Sequence, residues 1–247
     1  MSGHSKWANI REKKGKTDAQ RAKVFTKISR EIIVAVKEGG GNPAGNAKLR
    51  DVIAKARAAN IPNDNIKRVI EKADSASDAS NYESGSYEGY GPGGVAVIVE
   101  TMTDNRNRTA SEMRHAFDKN GGNLGAQGSV SWSFDRKGVM LIPVEKLSED
   151  KVMEDALDAG ASDFALSEYT NDDGDTIDAF EILTDPESFG DVRDALESKG
   201  YKFAAAQIEM VPQNYTELSE EDSLKLQKLL DMLEDNDDVQ NVWHNCN

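Results

Sequence analysis

The side chains in this sequence best able to do chemistry are cations. Lys6, Arg11, Lys13, Lys14 and Lys16 crowd the first sixteen residues with Trp7 among them. Arg21, Lys23, Lys27, Arg30 and Lys37 follow, and Arg106 and Arg108 stand in the segment TDNRNRT at 103–109. Ammonium and guanidinium groups at this density neutralise phosphates, and arginine does so with a fork of donors that matches two oxygens at once. Trp7 has two readings, stacking on a base or stapling the basic arm onto a helical core. Arg106 and Arg108 also have two, donors aimed at phosphate or RNA, or ion pairs with acidic neighbours.

The remaining conspicuous residues point to no catalytic or metal chemistry. GGNLGAQG (121–128) and EGYGPGG (88–94) are glycine-rich, but neither has the lysine and hydroxyl of a phosphate loop. The first also runs from helix to strand, the reverse of the order that aims helix amides at a phosphate, so these are turn glycines. In NDDGDTID (171–178), setting Gly174 at the sixth position of a calcium loop puts Tyr169 at the first, where a carboxylate is required. That segment is a polar hairpin turn. His4, His115 and His244 are far apart and Cys246 is the single cysteine, so no zinc spacing exists and no metal or cofactor is expected. No nucleophile and base pair stands out, and the chain is not expected to be an enzyme.

Charge is distributed very unevenly. The 247 residues carry a formal −14, yet residues 1 to 72 hold 17 Lys+Arg against 7 Asp+Glu, a local +10. Of the chain's 30 basic and 44 acidic residues, the other 13 and 37 leave −24 for the rest. A segregation of this size points to polyanion binding by the basic part, with the acidic part limiting non-specific adhesion. No apolar run approaches the roughly 18 residues of a membrane span, and the first residues lack the apolar stretch of a secretory signal. With no disulfide framework possible, a reducing, cytoplasmic location is expected and no membrane partner.

These cations must be positioned by a helical domain, residues 1–75. A flexible arm, Ser2 to Lys16, precedes a helix from Thr17 to about Glu38 that stops at Gly39, Gly40 and Gly41. Phe25, Ile28, Ile32 and Val36 recur at helical spacing as its buried face, while Lys23, Lys27, Arg30 and Lys37 fall opposite as a positive stripe, together with Val34. A second helix follows Asn46 with Leu49, Val52, Ile53 and Ala56 inward and ends before Pro62; a third, capped by Asn63, carries Ile66, Val69 and Ile70. The three form a small bundle without a clear helix-turn-helix.

Past a solvated linker at 76–88, rich in Ser, Asp and Gly, the pattern changes to α/β. GVAVIVETM (94–102) reads as a strand, and Asp104 as the cap of a helix to about Lys119 with Arg106, Ala110, Met113 and Phe117 on one face. SVSWSF (129–134) reads as a strand, separated from GVMLIP (138–143) by a polar turn, DRKG. Helix 149–158, strand 164–169, strand 178–183, helix 188–198 and strand 203–211 then complete the strand–helix–strand, strand–helix–strand order of a ferredoxin-like domain. A helix from Ser219 and a strand near Val239 to Trp243 return to the first α/β segment. The expected fold is therefore α+β multidomain: a three-helix bundle followed by two α/β domains, with a ferredoxin-like one (135–211) inserted in a discontinuous one (89–134 plus 212–247).

Six segments also carry a resemblance: GHSKWANI (3–10), FTKISREI (25–32), GGGNP (39–43), YEGYGPGG (87–94), TDNRNRT and GGNLGAQGSVSWSF (121–134). In this order, over essentially the whole length, they resemble the YebC/PmpR family of probable transcriptional regulators, which includes the mitochondrial translational activator of cytochrome c oxidase. The resemblance implies a helical N-terminal domain, two α/β domains, a cytosolic location and action on gene expression through nucleic acid. Its members are described both as DNA-binding transcription regulators and as ribosome-associated translation factors. The partner is accordingly expected to be DNA, or RNA on the ribosome, with a homodimer possible. An enzyme acting on an anionic substrate through the TDNRNRT arginines is the reading of another class.

Overall fold

The computed structural model describes residues 18–75, 82–170 and 175–247, and among them seven helices and eight strands form. Two compact units emerge, one of Ala22–Asp135 with Pro212–Asn247, the other of Arg136–Val211.

The first unit opens with three helices, α1 (Asp18–Gly39), α2 (Ala47–Ala58) and α3 (Asn63–Ser75). Ile28, Ile32 and Val36 of α1, as the 3.6-residue spacing predicts, meet Ala35, Leu49, Val52, Ala56, Ile66 and Ala73 in one apolar core, whereas Phe25, expected with them, is only half-buried and is not part of it. Asn46 fastens the corner. Its side chain accepts the Leu49 N–H at 3.0 Å, capping α2, and donates to Ala35 O at 2.7 Å and Gly40 O at 2.9 Å.

A four-stranded antiparallel sheet follows in the order β3-β1-β2-β8, from β1 (Glu83–Tyr90), β2 (Ala96–Thr103), β3 (Asn123–Leu124) and β8 (Val239–His244). Helices α4 (Arg106–Lys119) and α7 (Glu220–Glu234) pack against it. The second unit holds most of β4 (Phe134–Pro143), then α5 (Glu149–Ala159), β5 (Asp163–Thr170), β6 (Thr176–Thr184), α6 (Phe189–Ser198) and β7 (Ala205–Pro212). Its sheet order, β5-β6-β4-β7, is that of a ferredoxin-like fold. Met140, Ile142, Phe180 and Ile182 on one sheet face bury against Val152, Ala156, Val192 and Leu196 of α5 and α6.

Four local expectations need correction. Residues 83–88, expected in the linker, belong to β1, because pairing with the strongly β-forming AVIVETMT supplies a ladder that Ser- and Gly-rich ESGSYEGY does not announce. SVSWSF is not a strand up to Phe134: Ser131–Ser133 form a 3-10 turn. The DRKG turn is instead the first half of the continuous strand β4, where Gly138 admits Thr184 and Phe189, whose side chains fill the place a Cβ would take. Asn105 rather than Asp104 caps α4, accepting the Arg108 N–H at 3.1 Å, and the buried face of that helix is Thr109, Met113, Ala116 and Phe117, with Arg106 exposed. The hairpin turn at 171–178 lies partly outside the described residues.

Candidate nucleic-acid interface

The positive stripe of α1 is where the sequence placed it, opposite the bundle core, but its cations have partners in the same unit. Lys23 Nζ donates to Asp235 Oδ1 at 2.7 Å, and Lys27 Nζ to Glu234 O at 3.0 Å. Both therefore sit at the C-terminus of α7, where unsatisfied carbonyls and an acidic side chain concentrate negative potential. Arg30 reaches further in. Its Nη1 donates to Asp238 Oδ1 at 2.9 Å, to Met102 O at 3.2 Å and to Asp237 O, while its guanidinium lies 5.1 Å from the centre of the Tyr82 ring. Val34, expected on this outward face, is buried. Lys37 in the last turn is exposed.

Asp238 is the centre of this contact. Besides Arg30 it accepts from Arg108 Nη2 at 2.7 Å, Thr109 Oγ1 at 2.8 Å and Thr103 Oγ1 at 3.0 Å. Burial pushes its carboxyl up, but the hydrogen bonds from Arg108, Thr109, Thr103 and Arg30 outweigh this and hold it below its ordinary value. Arg108 also pairs with Asp104 at 3.0 Å, and Arg106 lies 3.5 Å from Glu83. Both TDNRNRT arginines thus stand beside carboxylates, in the ion-pair arrangement that the sequence left as one of two readings.

Lys6, Trp7, Arg11, Lys13, Lys14 and Lys16 lie outside the described residues. Arg21 falls on α1, with a side chain that is likewise outside them.

Cations that the sequence did not single out stand on the other helices. On α3, Lys67, Arg68 and Lys72 are exposed, and their side chains have no hydrogen bond or ion pair among the described residues. On α2, Arg50 donates to the Pro43 and Ala44 carbonyls and Arg57 to Asn63, so both keep their positive charge uncompensated by an acid. Lys48 and Lys55 pair with Glu38 and Glu31 of α1. A signal for the α3 cations was present: with Ile66, Val69 and Ile70 inward, residues 67, 68 and 72 must point outward. The described residues contain no group of three or more His, Cys, Asp and Glu able to hold a metal ion, and no helix long and apolar enough to cross a membrane.

Comparison with known proteins places the whole chain. Residues 5–76 match the TACO1/YebC protein N-terminal domain, and residues 82–246 match the TACO1/YebC second and third domain. A probable transcriptional regulatory protein of Caldicellulosiruptor saccharolyticus is 58% identical over 246 residues, covering 99% of this chain and 98% of the relative. One from Clostridium tetani is 56% identical over 247 residues, covering 100% and 97%. The crystal structure of a conserved hypothetical protein from Aquifex aeolicus superposes with a TM-score of 0.83 at 45% identity, covering 98% of this chain and 97% of that one. With both parts of the chain matched and the fold shared, this protein belongs to the TACO1/YebC family.

Proposed function

We propose that this protein is a DNA-binding regulator of transcription, acting by binding rather than by catalysis, with its basic N-terminal segment as the phosphate-neutralising surface. The observation that carries the proposal is charge segregation: a local +10 over residues 1 to 72 against −24 elsewhere. The relatives named probable transcriptional regulatory proteins support the regulatory role. Because Lys23, Lys27 and Arg30 are engaged by 234–238, the phosphate contacts are assigned first to the α3 cations Lys67, Arg68 and Lys72, with Arg50, Arg57 and the basic arm beside them.

Fluorescence anisotropy of a labelled duplex, titrated with the full chain between 50 and 200 mM salt, tests this. Binding should weaken steeply with salt. Replacing Lys67, Arg68 and Lys72 together by Ala should reduce the slope of log affinity against log salt by about 2 to 3, since each phosphate no longer neutralised removes about 0.9. An intact chain that leaves duplex unbound at 50 mM salt, yet migrates with ribosomal particles on a sucrose gradient, would replace DNA by structured RNA as the target.

A further inference from the structure

Trp132 is the most exposed large apolar side chain among the described residues, at 71%, and it stands on a loop whose conformation is fixed from beneath. Glu88 of β1 is buried, and its two carboxylate oxygens accept the N–H groups of Gly128, Val130 and Ser131, each at 2.9 Å. Its carbonyl accepts the Gly125 N–H at 2.7 Å. Desolvation pushes the Glu88 carboxyl up, but these amide hydrogen bonds outweigh it and keep the group ionised. The loop lies so close to β1 that a Cβ on Gly89 would come within 2.5 Å of Asn123 O.

The indole itself is oriented. Its Nε1–H donates to Ser129 O at 3.0 Å, and the Tyr90 hydroxyl donates to the same carbonyl at 3.2 Å. On either side Val130, Ser133 and Phe134 are buried, which anchors the backbone of the turn. With its single polar atom already bonded, Trp132 has only its ring face to offer a ligand. Tyr90, 40% exposed, adds a second ring that shares its anchor.

Three observations select the partner. Residues 120–134 contain no charged side chain, although 30% of the chain is charged, so nothing in the loop repels a polyanion. Among the described residues of this unit, the exposed large apolar side chains are Tyr90, Trp132 and the α7 residue Leu224 alone. That is far short of the aromatic and aliphatic core that a protein interface of about 800 Å² per partner requires. A rigid π face that is not part of an apolar patch suits a flat partner, and base–aromatic stacking needs only such a face.

We infer that the Glu88-braced loop is a stacking platform on which Trp132 receives an unpaired nucleobase of a single-stranded or locally melted nucleic acid. The inference rests on the nucleic-acid-binding reading and adds a second contact, specific for strands whose bases are free. Bases in an intact duplex present edges but not faces, so the platform discriminates between the two forms.

The test uses the full chain with labelled 20-residue oligo-dT, oligo-U and a duplex, comparing the unaltered protein with Trp132→Ala and Trp132→Phe. Trp132→Ala should lose on the order of 5- to 150-fold in affinity for a single strand and little for duplex, and Trp132→Phe should keep most of it. In a Trp7→Phe background, oligonucleotide should quench the tryptophan emission, because Trp243 is buried and Trp132 is not. Preference for oligo-dT or for oligo-U then distinguishes DNA from RNA as the source of the base. Equal single-strand binding by Trp132→Ala and the unaltered protein, with no quenching, overturns the platform while duplex binding still stands for the basic surface. Loss of a dimer on sedimentation of Trp132→Ala, with single-strand affinity intact, overturns it in favour of a second copy. Failure of the unaltered chain to bind either form removes the broader reading as well.

Discussion

Asp238 gathers four donors on one buried carboxylate, two of them guanidinium groups, and this sets what its substitution does. Taking away one member of a buried charge group leaves the other charge desolvated and unpaired, which costs more than the pair was worth. Asp238→Asn keeps the size and two acceptor lone pairs but strands Arg30, whose side chain is largely buried. Urea unfolding followed by tryptophan emission should show a loss of about 3 kcal/mol. The acid limb follows the same logic. The folded Asp238 carboxyl lies below its ordinary 3.8, so its stabilisation is present above that value and disappears as pH falls through the folded one. None of this was legible in the sequence, where Asp238 is one of four acidic residues in EDNDD (234–238).

At the scale of elements, α1 has two engaged faces, one apolar and buried, the other ionic and buried only around Arg30. Its periodicity made the apolar face readable, because both the helix and its packing residues repeat every 3.6 positions. The ionic face read as a solvent-facing stripe, since the partner of Arg30 lies 208 residues away and no local pattern encodes such a pairing. The same limit explains β1: its Ser and Gly residues adopt a strand because β2 lies beside them, a tertiary effect that overrides propensity. By contrast, the α/β order of residues 134–212 was legible because each helix and most strands carry their own amphipathic period. The two ends of the stripe should behave differently. Lys23 meets a mostly exposed Asp235, so Lys23→Ala should shift stability by less than about 1 kcal/mol and lose even that in high salt. Arg30→Ala removes the cation opposite a buried carboxylate and should cost several-fold more, about 3 kcal/mol. Equal thermal shifts for the two variants would show that the ionic face contributes uniformly rather than through Arg30.

Across the whole molecule, two buried groups give the units opposite responses to pH. His244, in the unit that includes β8, accepts the Cys246 N–H at Nδ1 and is held by burial at about 4, below the ordinary 6.5. The folded state therefore binds fewer protons between those values, so its stabilisation is complete above pH 6.5 and is lost as pH falls toward 4. Glu181, on β6 of the other unit, is pushed up to about 7 by burial and by the like charges of Glu209 and Asp163. Its folded state binds more protons between 4.5 and 7, so stability declines as pH rises through that window. Each shift corresponds to about 3 kcal/mol. Glu181→Gln should accordingly stabilise Arg136–Val211 at pH 8 and change little at pH 4.5, while His244→Gln should flatten the acid decline of the unit containing Trp243. In a Trp7→Phe background, unfolding at several pH values separates the two, because the remaining Trp132 and Trp243 both lie outside 136–211 and emission follows the other unit alone.

The distance along the chain between α1 and its acidic partner also imposes an order on synthesis. At about 5 to 20 residues per second, the 208 positions from Arg30 to Asp238 take roughly 10 to 40 s to translate. Over that interval Lys23 lacks Asp235 and Arg30 lacks Asp238, and the side of β2 that later receives β8 is an open edge. Residues 136–211 contain nearly all of their own sheet and close during the wait. The nascent chain is therefore more cationic on its surface and stickier at its edge than the finished protein, until EDNDD and the strand behind it leave the exit tunnel and shield both.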